Sequence, residues 1–172
     1  TTLRIVTPDH PVPAAVPDIA PTGRLARLFA SPRGMLAVAA IGIVLTALSV
    51  WLSDYRDKGA GSLAGNVVGV VSFVLLWGGL WAFVGRLLVH RTNFWAHTTL
   101  AWLLLITLGL WGGAESWLNF LFPSQKIVDV IGVMIGLALF VAVLATHAGL
   151  ASLAPLRRRM AFGLALAAGF AG

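Results

Sequence analysis

The chain has 172 residues, of which 59% are hydrophobic and 10% charged, and its mean hydropathy is +0.92. Charged residues make up about a quarter of a typical soluble domain, so a chain this apolar is predicted to fold in a lipid bilayer. The sequence contains no cysteine, which excludes disulfides and thiolate metal sites within it. Although the net charge is +6, no basic patch is combined with a reading helix, so nucleic acid is not an expected partner.

Residues 1–34 differ in composition from the rest. Thr1–Thr7 (TTLRIVT) alternates polar and β-branched residues, a pattern that predicts a short strand. Five prolines between positions 8 and 21 disfavour a regular helix and favour an extended linker. Thr22–Ser31 is predicted to be either a short amphipathic helix at the membrane surface or a disordered basic segment. Because a single strand needs pairing partners, we expect a β-rich domain upstream of Thr1.

This arrangement resembles that of bacterial inner-membrane proteins with a cytoplasmic forkhead-associated (FHA) domain. In that family a final strand of the type TTLRIV closes a β-sandwich and is followed by a Pro-rich linker and several membrane helices. Val84–His97 (VGRLLVHRTNFWAH) is similar to the inner loop of such proteins. The resemblance implies a phosphopeptide-binding domain before Thr1, so the residues that read phosphothreonine would lie outside this chain.

Five apolar stretches follow the tail. A membrane-spanning helix needs roughly 20 largely apolar residues, and the predicted spans are residues 35–52, 67–89, 95–120, 127–154 and 160–172. The last is still apolar at Gly172, so we expect the chain to be part of a longer protein. Backbone groups in lipid must bond within their own segment, which favours helices. The predicted fold is an all-α membrane protein, a polytopic bundle of about five transmembrane helices (35–172) after an extended Pro-rich tail (1–34).

Positive charge is concentrated on one predicted side of this bundle. Arginines precede the first span and fill the breaks after the second and fourth spans, whereas four of the six carboxylates (Asp54, Asp57, Glu115 and Asp129) fall at the opposite face. The positive-inside rule therefore places the arginine side, and the N-terminus, in the cytoplasm, with the bundle in a bacterial inner membrane. We expect five cations to contact anionic lipid headgroups: Arg86, Arg91, Arg157, Arg158 and Arg159.

Three histidines are predicted to lie at one depth, near the cytoplasmic side. They are His90 at the end of the second span, His97 at the start of the third and His147 late in the fourth. Imidazoles from separate helices could ligate a b-type haem or a transition metal. The alternative is that neutral histidines lie at the lipid–water interface with their ring nitrogens in contact with water or headgroups. We favour the alternative and expect no cofactor.

Two carboxylates are predicted near the opposite interface. Glu115 and Asp129 lie on successive helices and could share a proton or a cation in an ion pathway. The alternative is that both are interfacial anchors, with Lys126 close enough to pair with either. We favour the anchor interpretation.

Glycines at GxxxG spacing are the remaining candidates, because they let a neighbouring helix approach closely. Gly109/Gly113 and Gly132/Gly136 are two such pairs, and Gly132/Gly136 is the pair most expected to face outward. They could contact another membrane subunit or pack within the bundle, and we favour packing within it.

The function favoured by these patterns is a non-catalytic anchor or scaffold subunit of a larger membrane assembly. Walker A, HExxH and GxSxG motifs are absent from the sequence, and no small-molecule substrate is indicated. Transport or catalysis normally requires polar groups at mid-membrane, and the predicted span centres are apolar. The alternatives are a haem- or pigment-binding electron-transfer subunit and an ion-coupled transporter or channel component.

Overall fold

The computed structural model describes residues 24–53, 60–122, 126–152 and 155–171. Within them 93% of the residues are helical and there is no strand. The predicted strand at Thr1–Thr7 and most of the Pro-rich tail lie outside the described residues. The helices of the described part are α1 (Arg24–Phe29), α2 (Pro32–Ser53), α3 (Ala60–Val89), α4 (Phe94–Leu121), α5 (Lys126–Ala151) and α6 (Leu156–Ala171).

Among the described residues, four helices are long and apolar enough to cross a membrane. They are α2 to α5, and the sequence predicted all four. α3 begins seven residues before the predicted boundary because polar residues beyond the apolar run still extend the helix, with the Asn66 side chain donating to the Ser62 carbonyl (2.9 Å). α6 has 16 described residues, about 24 Å at 1.5 Å per residue, which is less than the roughly 30 Å of hydrocarbon.

A tight corner joins α1 to α2. Ser31 precedes Pro32, and the Ser31 hydroxyl accepts a hydrogen bond from the Gly34 N–H (3.1 Å). A serine N-cap followed by proline at the first helical position is a favoured start for a helix. The Thr99 hydroxyl of α4 shares its single proton between the Phe29 carbonyl at the end of α1 (2.9 Å) and the Trp95 carbonyl of its own helix (2.8 Å). The helical alternative for Thr22–Ser31 is thereby confirmed over Arg24–Phe29.

Glycines set the closest helix contacts in the bundle. A Cβ at Gly42 would overlap the Trp102 ring, and one at Gly78 would overlap the Thr98 side chain and come within 3.2 Å of its Cα atom. A Cβ at Gly163 would come within 3.0 Å of the Val141 carbonyl oxygen. These three positions join α2 to α4, α3 to α4 and α6 to α5.

The glycines of the predicted GxxxG pairs differ in what lies next to them. Gly132 is buried, and a Cβ there would lie 2.8 Å from the Glu115 carboxylate of α4. The expectation that Gly132 faces outward is therefore wrong, because its bare backbone makes room for a side chain of the neighbouring helix. For Gly109, Gly113 and Gly136, no described neighbouring atom lies within 4 Å of the Cβ position.

The adjacent glycines of α3 provide a matched test of this packing. Gly78→Ala should destabilise the bundle by about 1–3 kcal/mol, because the new methyl meets both the side chain and the backbone of Thr98. Gly79→Ala adds the same methyl where no described neighbour lies within 4 Å, so the gain in helix propensity should leave stability unchanged or raised. Thermal unfolding in detergent measures both, and equal melting temperatures would contradict the α3–α4 contact.

Candidate functional site

The arginines of the described helices gather at one end of the bundle. We call this the basic end and define it by Arg33, Arg86, Arg91 and Arg157–Arg159. The Asn93 side chain before α4 donates to the Leu150 carbonyl near the end of α5 (2.9 Å), and Gly85 of α3 lies against Ala151. These contacts bring the end of α3, the start of α4 and the end of α5 to one level.

Two histidines meet inside the bundle near this end. His97 of α4 and His147 of α5 are each fully buried, at 0% exposure. Their Nδ1 atoms are 2.7 Å apart, their ring centroids 5.0 Å apart and their planes within 17°. A short nitrogen–nitrogen distance combined with that centroid separation means that the rings lie edge to edge, close to one plane. One N–H···N hydrogen bond therefore joins α4 to α5.

A tryptophan of α3 fixes which nitrogen carries each proton. The Trp77 indole N–H, which can only donate, points at His147 Nε2 (3.1 Å). His147 Nε2 must therefore accept, so a neutral His147 carries its proton on Nδ1 and donates it to His97 Nδ1. Neutral His97 then carries its own proton on Nε2, and that buried atom has no partner among the described residues. The chain of donors runs from Trp77 through His147 to His97.

A second tryptophan covers this pair of imidazoles. The Trp81 ring lies 8° from parallel to His147 at 5.1 Å and 21° from parallel to His97 at 6.2 Å, measured between ring centroids. Phe162 of α6 packs edge-on against Trp81 at 6.5 Å. Aromatic contacts of this kind contribute about 0.5–1.5 kcal/mol each beyond the area they bury. The cluster, which we call the His–Trp cluster (Trp77, Trp81, His97 and His147), thus joins α3, α4 and α5, with α6 against it.

The arrangement of the two histidines does not fit a metal ion shared through their Nδ1 atoms. Two imidazole nitrogens bound to one tetrahedral ion are about 3.3 Å apart at a metal–nitrogen distance of about 2 Å, and nitrogens on opposite sides of a metal are about 4 Å apart. The observed separation of the two Nδ1 atoms is 2.7 Å, and among the described residues no three metal-binding side chains converge. Axial ligation of a haem iron by this pair would need the spacing of about 4 Å, so the haem hypothesis stays a prediction without geometric support.

The predicted water-exposed setting of the histidines is wrong for two of the three. His97 is three residues from the start of α4 and His147 four residues from the end of α5, about 5–6 Å along each helix axis. They are near the membrane boundary, yet protein side chains cover both rings. His90 is exposed at the end of α3, with its Nδ1 atom 3.2 Å from the Arg86 carbonyl oxygen, outside the cluster.

The two predicted carboxylates lie at the other end of α4 and α5. Asp129 is exposed and accepts a long hydrogen bond from the Asn119 side chain (3.4 Å). Glu115 is half-buried against Gly132, beside the Trp111 indole nitrogen, which has no described partner. They are on adjacent helices, as predicted, and the ion-pathway interpretation remains untested.

Sequence reasoning missed part of the cluster. The i, i+4 spacing of Trp77 and Trp81 placed both rings on one face of α3, but nothing in the sequence paired that face with His97 and His147. The buried Thr98 and Thr99 were also missed. Their hydroxyls donate to the Phe94 and Trp95 carbonyls of their own helix (both 2.8 Å), which satisfies them without a signature in the sequence.

Comparisons with known proteins add no family to this description. No protein-family model matches the chain, and neither the curated proteins nor the solved structures contain a significant match to it.

The two tryptophans allow the hydrogen-bond assignment to be tested. Trp77→Phe keeps most of the ring but removes the donor, leaving a buried acceptor unpaired on His147, and should destabilise the bundle by about 0.6–1.7 kcal/mol. Trp81→Phe is the control, because the Trp81 indole N–H has no partner among the described residues and the stacking ring is retained. Thermal unfolding should show a clearly larger loss for Trp77→Phe, and the opposite order would contradict the assignment.

Proposed function

We propose that the chain is a non-catalytic anchor or scaffold subunit of a larger membrane assembly. The observation that carries this proposal is the position of the buried polar side chains in the described bundle. They are His97, Thr98, Thr99 and His147, all within two turns of the helix ends at the basic end. Transporters and membrane enzymes usually bring polar groups or broken helices to mid-membrane.

The surface of the bundle supports a lipid environment. Large apolar side chains are exposed along α2 to α5, among them Val44 at 64%, Leu76 at 75% and Val133 at 71%. Apolar exposure on this scale is unfavourable in water but not in hydrocarbon. We place the bundle in a bacterial inner membrane with the basic end and the N-terminus on the cytoplasmic side, following the positive-inside rule. In this arrangement α6 is the fifth span.

The tail extends the proposal to a signalling scaffold. Its resemblance to FHA-associated membrane proteins supports a cytoplasmic phosphopeptide-binding domain tethered upstream of Thr1. The bundle would then hold that domain at the membrane while another surface of the bundle binds partner subunits.

A groove between α2 and α4 is the surface that best fits a partner helix. It has a volume of about 490 Å³ and is lined by Gly109 and Gly113 of α4 and by Leu45 and Leu48 of α2, among others. Glycines four residues apart lie on one helix face and allow another helix backbone to approach closely. Neither glycine has a described neighbouring atom at its Cβ position, so the groove is open to a helix from another subunit.

Filling the groove tests the scaffold proposal. Gly109→Leu with Gly113→Leu should release the chain from its assembly, because the leucines occupy the space of the partner helix. Its own melting temperature should stay within the range of the control, Ala37→Leu, which enlarges an exposed residue on α2. Native mass spectrometry of protein extracted from its own membrane should find the wild type in a heavier complex and the double variant alone. A wild-type chain that is itself alone would contradict the scaffold function.

A further inference from the structure

The end of α3 carries a groove that the scaffold function does not use. It has a volume of about 430 Å³ and is lined by Phe83, Arg86, Leu87 and His90. Phe83, Arg86 and Leu87 follow the i, i+3, i+4 spacing of one face of α3, and His90 directly follows the last residue of that helix. Phe83 is 58% exposed and Leu87 63% exposed, and Arg86 and His90 are exposed beside them.

The depths of Phe83 and Arg86 along α3 match the apolar and the charged parts of a phospholipid, whereas Leu87 lies between Arg86 and His90, at headgroup level. α5 has 26 residues, about 39 Å at 1.5 Å per residue, so each of its ends extends some 4–5 Å beyond the roughly 30 Å of hydrocarbon. Gly85 lies against Ala151, the last residue of α5, which puts the neighbouring Arg86 at headgroup level. Phe83 is one turn deeper, at the edge of the acyl chains.

The backbone at His90 is a second, independent feature of this groove. Its φ of 59° lies in the left-handed region, and it is the single non-glycine residue of the described chain with a positive φ. The His90 N–H bonds to the Arg86 carbonyl (3.1 Å), which closes the αL motif that normally has glycine at this position. Histidine thus takes a position at which glycine would be less strained, and its ring lies back against Arg86 (3.2 Å from Nδ1 to the carbonyl oxygen).

We propose that this groove binds one anionic phospholipid of the cytoplasmic leaflet, with its phosphate on Arg86 beside the His90 ring and the start of an acyl chain against Phe83. The charge of Arg86 selects an anionic headgroup, and the guanidinium fork matches the geometry of a phosphate. The other arginines of the basic end raise the positive potential around the groove. The assignment rests on the proposed membrane orientation, which sets the depth of the groove.

The test compares the lipid bound by the wild type and by two variants of the full chain in detergent. Phosphatidylglycerol should remain bound to the wild type in native mass spectrometry and raise its melting temperature, whereas phosphatidylcholine should do neither. Arg86→Gln should weaken phosphatidylglycerol binding about fivefold, the usual contribution of one cation near an anionic membrane surface. Arg158→Gln, which removes an exposed charge on α6 outside the groove, should weaken binding much less than Arg86→Gln does, because it only lowers the potential around the groove. Equal losses in the two arginine variants would reduce the effect to net charge and overturn the site.

His90→Gly separates lipid binding from helix termination. Glycine suits a φ of 59°, so this variant should fold at least as stably as the wild type and still bind phosphatidylglycerol more weakly. Unchanged binding would leave His90 as a helix end only and overturn its part in the site. Inorganic phosphate and glycerophosphate serve as headgroup probes, and a melting shift with either one equal to that with the lipid would show a soluble phosphate ligand instead.

Membrane orientation is measured separately, so that the two proposals can fail independently. Because the sequence has no cysteine, Lys126→Cys and Arg158→Cys each provide a single label for an impermeant maleimide in intact spheroplasts. Lys126→Cys should react directly and Arg158→Cys only after permeabilisation. The reverse pattern would overturn the proposed orientation, whereas the expected pattern without a preference for phosphatidylglycerol would overturn the lipid groove alone.

Discussion

The bond between His97 and His147 is the interaction on which the organisation of this bundle depends. In a bilayer the hydrophobic effect does not drive one helix against another, since the lipid is as apolar as the side chains. Specific helix contacts must then come from close packing and from hydrogen bonds. At the basic end, one N–H···N bond joins α4 to α5, and the Trp77 N–H adds α3 to the same chain of donors. Trp81 covers both imidazoles.

The His–Trp cluster and the glycines contribute to the helix packing in different ways. Glycines at positions 42, 78 and 163 let α2 and α3 approach α4 and let α6 approach α5. Packing at these positions does not depend on the polarity of the surroundings. The His–Trp cluster adds specificity, because the Trp77–His147 and His147–His97 hydrogen bonds can both form in only one arrangement of the three helices. Hydrogen bonds between membrane helices contribute modestly to stability, on average about 0.6 kcal/mol. A buried network of this kind therefore selects one arrangement of the helices more than it raises their stability.

The sequence predicted the helices well and the site only in part. An apolar run about 20 residues long has one solution in lipid, and the four long helices follow from that constraint alone. The common depth of His97 and His147 was also predicted, from the rise per residue of a helix and from the positions of the charged residues. Their burial was not predicted, because it depends on which face of α3 packs against α4 and α5. These helices have low amphipathicity, so the sequence does not indicate that face. Gly132 is a second example. Its GxxxG spacing indicated a helix-packing position, but it did not indicate that the neighbouring side chain would be Glu115.

Buried polar groups at one end and apolar centres are the features that support the proposed scaffold function. The basic end combines the internal cluster with exposed arginines, so the region that holds the helices together is also the region for which we propose contact with lipid headgroups. The opposite end carries Glu115 and Asp129 on adjacent helices, and the groove of Gly109 and Gly113 opens toward the bilayer between α2 and α4. The contacts that hold the helices together and the proposed contacts with lipid and partner subunits thus lie on different faces of the same helices.

The most direct test of the central interaction is the tautomeric state of the two histidines in bilayers. Solid-state NMR of the ¹⁵N-labelled protein distinguishes protonated from bare ring nitrogens, and His97→Asn assigns the signals. The structure predicts that His147 is protonated at Nδ1 and bare at Nε2, that His97 is protonated at Nε2, and that a coupling connects the two Nδ1 atoms. A His147 protonated at Nε2, or no coupling between the rings, would contradict the hydrogen-bonded chain from α3 through α5 to α4.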